Sequence, residues 1–344
     1  MVNRKLLVLL GLVTLATTLA FMGCSSDDPS TPTGNNNNNS SVTFTEFGGL
    51  VEQIAPPVYV GPQGAPQGAL DSIWTDGSHP LLGKVFGEDE PMSLYSNVEN
   101  LDDAIEMLTM MTQKMDSAGI TGDTTVTIPE GGTVEIRTLA SPTTIPTQCQ
   151  SVMGFSAIDL DDLVRMVAVW QSDTMYYDIG YTLTDSTQTL LTYFAADQDA
   201  SVTESFLYYA YVNLVDSTID IRGVFFKDYG DYTSARWVYN IETVNESDFS
   251  YRMSWYSDDA GGSSLLGCVI GGGNKDDQFA MKYRQYYPAD TAVVDSSYIL
   301  DQMFNSSYEY LGDISAGYET YVNEANIFTL EYQPTVLIQS PWAE

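Results

Sequence analysis

Apolar and polar positions change their period along this chain, and the change predicts its elements. Leu94, Val98, Leu101, Ile105, Leu108, Met111 and Met115 recur at steps of three and four, which places one apolar stripe on a helix over about 92–117. Gly119 stands where a helix C-terminal glycine belongs, and Glu88, Asp89 and Glu90 stand where acids favour the N-terminal dipole. From about residue 163 the period becomes two. Met175, Tyr177, Ile179, Tyr181 and Leu183 alternate with Tyr176, Asp178, Gly180, Thr182 and Thr184, the pattern of a half-buried antiparallel strand. Similar runs follow near 187–196, 204–215, 218–227, 233–242, 248–257, 263–271 and 278–287.

Asp, Asn, Ser and Gly occupy the intervals, as at Asp185-Ser186, Asp216-Ser217 and Asp258 to Gly262, and these residues make turns. Short connections require antiparallel neighbours. The reading is therefore mainly β: a meander of eight or nine strands over 163–287, forming a curved sheet, half-barrel or barrel covered on one face by the helix. Residues 206–215 are apolar on both faces, so that strand needs a second cover. The C-terminal region, 288–344, is the candidate, with a helix expected over Tyr298 to Leu311 and extended chain at Ile327 to Leu330. Residues 44–90, rich in Gly and Pro, read as an irregular strap. No linker recurs after residue 41, so 44–344 reads as one β-rich domain. An outer-membrane barrel is the rival architecture; Arg222, Arg236, Arg252, Lys282 and Arg284, alternating with apolar positions, argue against it.

The N-terminus adds a destination. Arg4 and Lys5 precede an apolar run, Leu6 to Met22, with the order of a secretory signal. The run ends in Phe21-Met22-Gly23-Cys24, which resembles the bacterial lipobox, with Phe and Met in place of that motif's usual Leu and small residue. The resemblance implies a signal peptide over 1–23, cleavage between Gly23 and Cys24, and acyl chains on Cys24 anchoring the mature chain. Residues 24–43 then form the lipidated cysteine and a polar tether. Among such lipoproteins an Asp directly after the cysteine favours inner-membrane retention; Ser25 stands there, so the resemblance implies an outer-membrane lipoprotein of the cell envelope.

Charge narrows the partners. The chain has 13 Lys and Arg against 46 Asp and Glu; without Arg4 and Lys5 the balance is 35 negative charges, which repels phosphate backbones and anionic lipids. Nucleic acid is excluded as a partner. Asp197 to Ser201 begins like a calcium loop but lacks its Gly and Glu, so no metal or cofactor is expected. Cys149 and Cys268 are the two cysteines left after Cys24, an even number in an oxidising compartment, which suits a disulfide between them; two buried thiols are the alternative, and Cys268 in the apolar run Leu265 to Ile270 fits it. His79 is the one histidine, in a turn-like stretch, which removes the usual triads and zinc sites. Gly271-Gly272-Gly273 lacks the Lys of a phosphate loop and reads as a hairpin connection.

What remains is aromatic content: 23 Tyr, 13 Phe and 5 Trp. Trp237, Tyr239, Tyr251 and Trp255 fall on consistent faces of neighbouring strands, where they either line a ligand site or fill a core. The helix-then-meander order resembles the half-barrel lipid carriers of lipoprotein transport and their actinobacterial relatives, a likeness of fold alone. Two functions follow as expectations. One is a non-enzymatic, membrane-anchored module that binds an apolar or amphipathic ligand such as a lipid; the other is a structural or protein-interaction lipoprotein with a solid core.

Overall fold

In the computed structural model the described residues are 123–128, 132–139, 144–170, 173–198, 201–228, 233–244, 247–259, 264–286 and 300–327, with individual positions between 49 and 109. Thirteen strands form one sheet in strict chain order. They are β1 (Thr124–Ile128), β2 (Gly132–Thr138), β3 (Asp162–Trp170), β4 (Asp173–Leu183), β5 (Thr187–Gln198), β6 (Ser201–Asn213) and β7 (Thr218–Asp228). After these come β8 (Thr233–Thr243), β9 (Asp248–Asp259), β10 (Ser264–Asn274), β11 (Gln278–Tyr286), β12 (Leu300–Asn305) and β13 (Tyr310–Gly312). Every pairing is antiparallel. Among the described residues β1 and β13 each pair with one neighbour, so the described sheet is open and fits a half-barrel rather than a closed barrel.

The period-two runs become strands because alternate residues meet different covers. On the inner face, Phe206, Tyr208, Ala210 and Val212 of β6 join Ile221 and Phe225 of β7, Tyr239 and Ile241 of β8, and Tyr251, Met253 and Trp255 of β9. Leu94, Val98, Leu101 and Ile105 bury against this surface, together with Val51, Ala55, Tyr59, Leu82, Val85 and Phe86. Leu94, Tyr95, Val98, Glu99, Leu101, Asp102, Ile105, Glu106 and Thr109 are helical, the first and fourth positions of each turn facing the sheet. The predicted helix thus covers the inner face at its described positions. Its Met-rich end lies outside the described residues.

A helix that the apolar spacing also encodes, α1 (Thr147–Met153), covers the outer face. Ile145, Cys149, Val152 and Met153 lie at steps of four, three and one, and all are buried against Leu191, Tyr193, Leu207, Val224 and Val238. Gly154 ends α1 in the left-handed conformation at φ 77°, and its N–H donates to the Gln150 carbonyl. Farther along the outer face, Ile314, Tyr318, Val322 and Ile327 pack on Ile270, Ala280 and Met303. The second cover is therefore shared between α1 and the C-terminal segment.

Two expectations are corrected. The helix expected over Tyr298 to Leu311 is instead β12 and β13, separated by a turn. Leu300, Met303 and Phe304 suit a helical stripe as well as a strand, but β11 offers an unpaired edge. Pairing there sends Phe304 to the inner core and Met303 to the outer one. The three glycines at 271–273 lie inside β10, and the connection is made by residues 275–277. They are small because other groups occupy the space a side chain would take. A Cβ at Gly272 would stand 2.5 Å from the Phe249 carbonyl oxygen and 2.7 Å from the Tyr321 ring, and Gly273 holds φ +139°.

Candidate functional site

The four aromatics singled out in the sequence belong to rows that run across the sheet. Tyr208, Gly223 and Tyr239 are in register on β6, β7 and β8. The rings of Tyr208 and Tyr239 meet at 5.9 Å, 64° apart, over the missing side chain of Gly223, where a Cβ would lie 2.2 Å from Tyr239. Trp255 lies likewise against Gly267 and stacks on Tyr283 at 5.7 Å. Tyr251 touches Phe86 of the N-terminal cover, and its hydroxyl donates to Met253 Sδ at 3.4 Å. Tyr239, Tyr251 and Trp255 are 0–2% exposed, so they form core. Trp237 pairs with Trp255 in register; its side chain lies outside the described residues. Burial pushes the Tyr239 hydroxyl well above the usual tyrosine range, with Tyr208 and Tyr251 adding to the effect. Burial does the same to Tyr251.

These rings leave little room. Phe194, Phe206, Tyr208 and Phe225 stack at 4.5–6.3 Å, and Phe279 meets Phe86, Phe249, Phe304 and Tyr308 at 5.7–6.2 Å. The space lined by Phe86, Phe249, Tyr251, Phe279 and Met281 has no volume for a water molecule. Within this face, the Tyr239 hydroxyl and Thr192 Oγ1 find no hydrogen-bond partner among the described residues.

Charged side chains gather on the outer face, in the strip between α1 and the C-terminal segment. Arg222 and Asp220 form a forked pair, with Nη2 to Oδ2 at 2.6 Å and Nε to Oδ1 at 2.9 Å. Arg222 Nη1 also donates to the Met153 carbonyl at the end of α1. Asn240 donates to Asp220 Oδ1 at 2.9 Å and accepts from Arg252 Nε at 3.1 Å. Arg252 Nη1 then reaches the Asn326 carbonyl at 3.3 Å. One polar row on β7, β8 and β9 therefore ties both covers to the sheet.

The electrostatics follow from that arrangement. Burial pulls the Arg222 guanidinium down, but its hydrogen bond to Asp220 and that carboxylate's charge more than offset it, leaving Arg222 above its ordinary value. Burial holds Arg252 below its ordinary value despite Glu242. Glu242 is raised, first by burial and then by Asp220, which stands directly opposite it in register; both arginines oppose the shift. A second cluster lies beyond. Arg284 pairs with Asp301 at 2.6 Å and Glu324 at 2.8 Å, and Lys282 stands 3.5 Å from Glu324. Lys282, Asp301 and Glu324 border a shallow cleft of about 710 Å³ with Asp313, Ile314, Glu319, Val322 and Asn323. Both clusters were visible in the sequence only as basic residues alternating with apolar ones.

Of the two readings of the cysteines, the disulfide is not formed. Cys149 and Cys268 are separate buried thiols: Cys149 lies on the sheet-facing side of α1, against β5 to β8, whereas Cys268 sits within β10, opposite Ser254 of β9 and Arg284 of β11. Even cysteine count specified chemistry, and the topology assigns the two to different places. Gly23, Cys24, the tether and His79 lie outside the described residues, as do the side chains of Asp197 and Ser201. No helix among the described residues is long and apolar enough to cross a membrane. Comparison of the chain with protein-family models, with curated proteins and with solved structures finds no match.

Proposed function

We infer that this chain is a non-enzymatic, acidic interaction protein of the bacterial cell envelope, anchored through acyl chains on Cys24 and presenting a solid, two-sided covered sheet to a protein partner. The observation that carries this reading is the filled inner face. Where a lipid carrier of similar outline keeps a cavity, the described part of this face is occupied by the chain's own Val51, Ala55, Tyr59, Leu82, Val85 and Phe86, with Leu94, Val98, Leu101 and Ile105, packed on stacked aromatic rings. Close-packed interiors resist opening, because each lost contact removes dispersion attraction as well as buried area. The 35 negative charges of the mature chain keep it soluble and favour a cationic partner.

Anchoring has its own test. A Cys24→Ser variant, exported and freed of its signal, partitions into the aqueous phase of a detergent extraction, while the unaltered chain follows the detergent. Recovery of the variant in detergent overturns acylation at Cys24.

A second reading, the amphipathic-ligand module, is favoured by the Tyr239 and Thr192 hydroxyls, which are unpaired polar groups in an apolar face. The two readings separate at Tyr239→Phe. In a solid core the substitution removes an unsatisfied hydroxyl and raises the unfolding free energy by about 1 kcal/mol, read from urea midpoints at constant slope. A loss of stability on that substitution, accompanied by saturable binding of a fluorescent fatty acid to the unaltered protein, favours the ligand module instead.

A further inference from the structure

At one end of the sheet Leu214 and Val215, on the turn between β6 and β7, and Val244, just after β8, point apolar side chains outward. Val215 is 79% exposed, Val244 50% and Leu214 38%. Two bonds join these parts and the Asp185-Ser186 turn beside them: the Leu214 N–H donates to the Ser186 carbonyl at 2.8 Å, and the Ile219 N–H donates to Thr243 Oγ1 at 3.0 Å. Polar residues of the β6–β7 turn are spent on holding its shape. Asn213 accepts from the Val215 N–H at 3.0 Å and donates to Asp216 at 2.9 Å, and Asp216 also takes the Thr218 N–H and hydroxyl. Ser217 adopts φ 57°, a conformation asparagine or glycine would take more easily. A turn built this firmly around outward-facing Leu214 and Val215 presents a fixed surface, and turn tips ordinarily carry polar residues.

The charged residues of these short segments are all of one sign. Residues 184–186, 213–218 and 244–248 include Asp185, Asp216, Glu246 and Asp248 and contain no Lys or Arg. Asp185 and Asp216 are exposed. A second copy of the chain would bring the same acids face to face, and an anionic bilayer would repel them. A complementary surface has an apolar socket rimmed by Lys or Arg.

We propose that Leu214, Val215 and Val244 form a protein-docking surface, and that its occupant is a basic partner protein whose apolar socket receives Val215 and Val244. The proposal rests on the interaction reading above and supplies the partner's chemistry. Apolar contacts at the centre provide most of the affinity, and the surrounding acids steer approach and select the sign of the partner.

The test uses the full lipidated chain in cells, with a photoreactive residue in place of Ser186, beside the patch, and a control at Thr127 on β1. Irradiation is expected to join Ser186's replacement to one protein whose contact surface, mapped by mass spectrometry, is rich in Lys and Arg. The Val215→Ser, Val244→Ser pair is expected to remove the adduct while leaving the melting temperature unchanged. Between purified proteins the pair should weaken binding about tenfold, and raising the salt concentration should weaken it further. Adducts to a second copy, to lipid alone or to an acidic protein overturn the proposal, as does an adduct indifferent to the paired substitution. Bound lipid inside the protein would overturn the solid-core reading without touching this one.

Discussion

Replacing Phe279 by alanine is expected to lower the unfolding free energy by about 3–5 kcal/mol, the range for removing a large aromatic side chain from a close-packed core. Phe279 is 1% exposed and lies in a row with Phe249, Gly273 and Phe304 across β9, β10, β11 and β12. Its ring also meets Phe86 and Tyr308, so it joins the sheet to the N-terminal cover and to the turn after β12. Tyr308 in turn donates to the Pro57 carbonyl. Removing Phe279 therefore loosens three separate parts of the chain around one site. Urea unfolding followed by tyrosine and tryptophan fluorescence measures the loss, and Phe279→Leu, which keeps more of the volume, should lose less. A loss below about 1 kcal/mol would show that the face can close over the gap, contrary to the dense packing described.

Asp178→Ala is the second large effect, at about 3–5 kcal/mol. Asp178 is fully buried on β4 and accepts a forked pair of bonds from Arg165 of β3, Nε to Oδ1 at 2.8 Å and Nη2 to Oδ2 at 2.9 Å. Only 11% of the Arg165 side chain is exposed. Removing the acid leaves a guanidinium in a place where water reaches it poorly, and that desolvated charge accounts for most of the loss. The pair also acts on Tyr193, whose hydroxyl is pushed up to about 12 by burial first and by the Asp178 charge second. Replacing both partners with apolar residues, as in Arg165→Met with Asp178→Leu, is expected to recover most of the stability lost in Asp178→Ala, because no charge is then stranded. Equal losses in the single and double variants would mean that the pair's geometry, rather than an uncompensated charge, sets the effect.

Much of the sheet was legible because its physics is local. Met175 to Thr184 alternates strictly, and Asp185-Ser186 can only turn, so β4, the hairpin and β5 fall where the pattern puts them. The same holds through β11. At the two ends the pattern carries less information. Thr124–Ile128 has few apolar residues to alternate, and Leu300–Asn305 fits either period until β11 is present to pair with it. The glycines of 271–273 misled for a related reason: local chemistry allows a turn, and the carbonyls of Ala280, Phe249 and Gln278, with the Tyr321 and Tyr318 rings over Gly272 and Gly273, show why side chains are absent.

The candidate site was less legible than the fold. Tyr239, Tyr251 and Trp255 are equally good cavity linings and core fillers as residue types, and the choice depends on what packs against them. Gly223 and Gly267 carried the missing signal. A glycine in the same cross-strand row as two large rings marks a place where those rings lean inward and fill space, and both glycines lie in the sequence at the centre of otherwise regular strands. The Asp220, Arg222, Asn240 and Arg252 row was visible as alternation but not as a clamp, since Met153 and Asn326, the carbonyls it holds, come from distant segments.

The most direct test of the filled inner face is native mass spectrometry of residues 25–344 exported to the periplasm, followed by organic extraction of the same sample. The solid-core account predicts the bare polypeptide mass with both Cys149 and Cys268 as thiols, and an extract without stoichiometric lipid. A reproducible adduct of lipid mass, recovered in the extract at one molecule per chain, would contradict it and establish a ligand beneath the N-terminal cover.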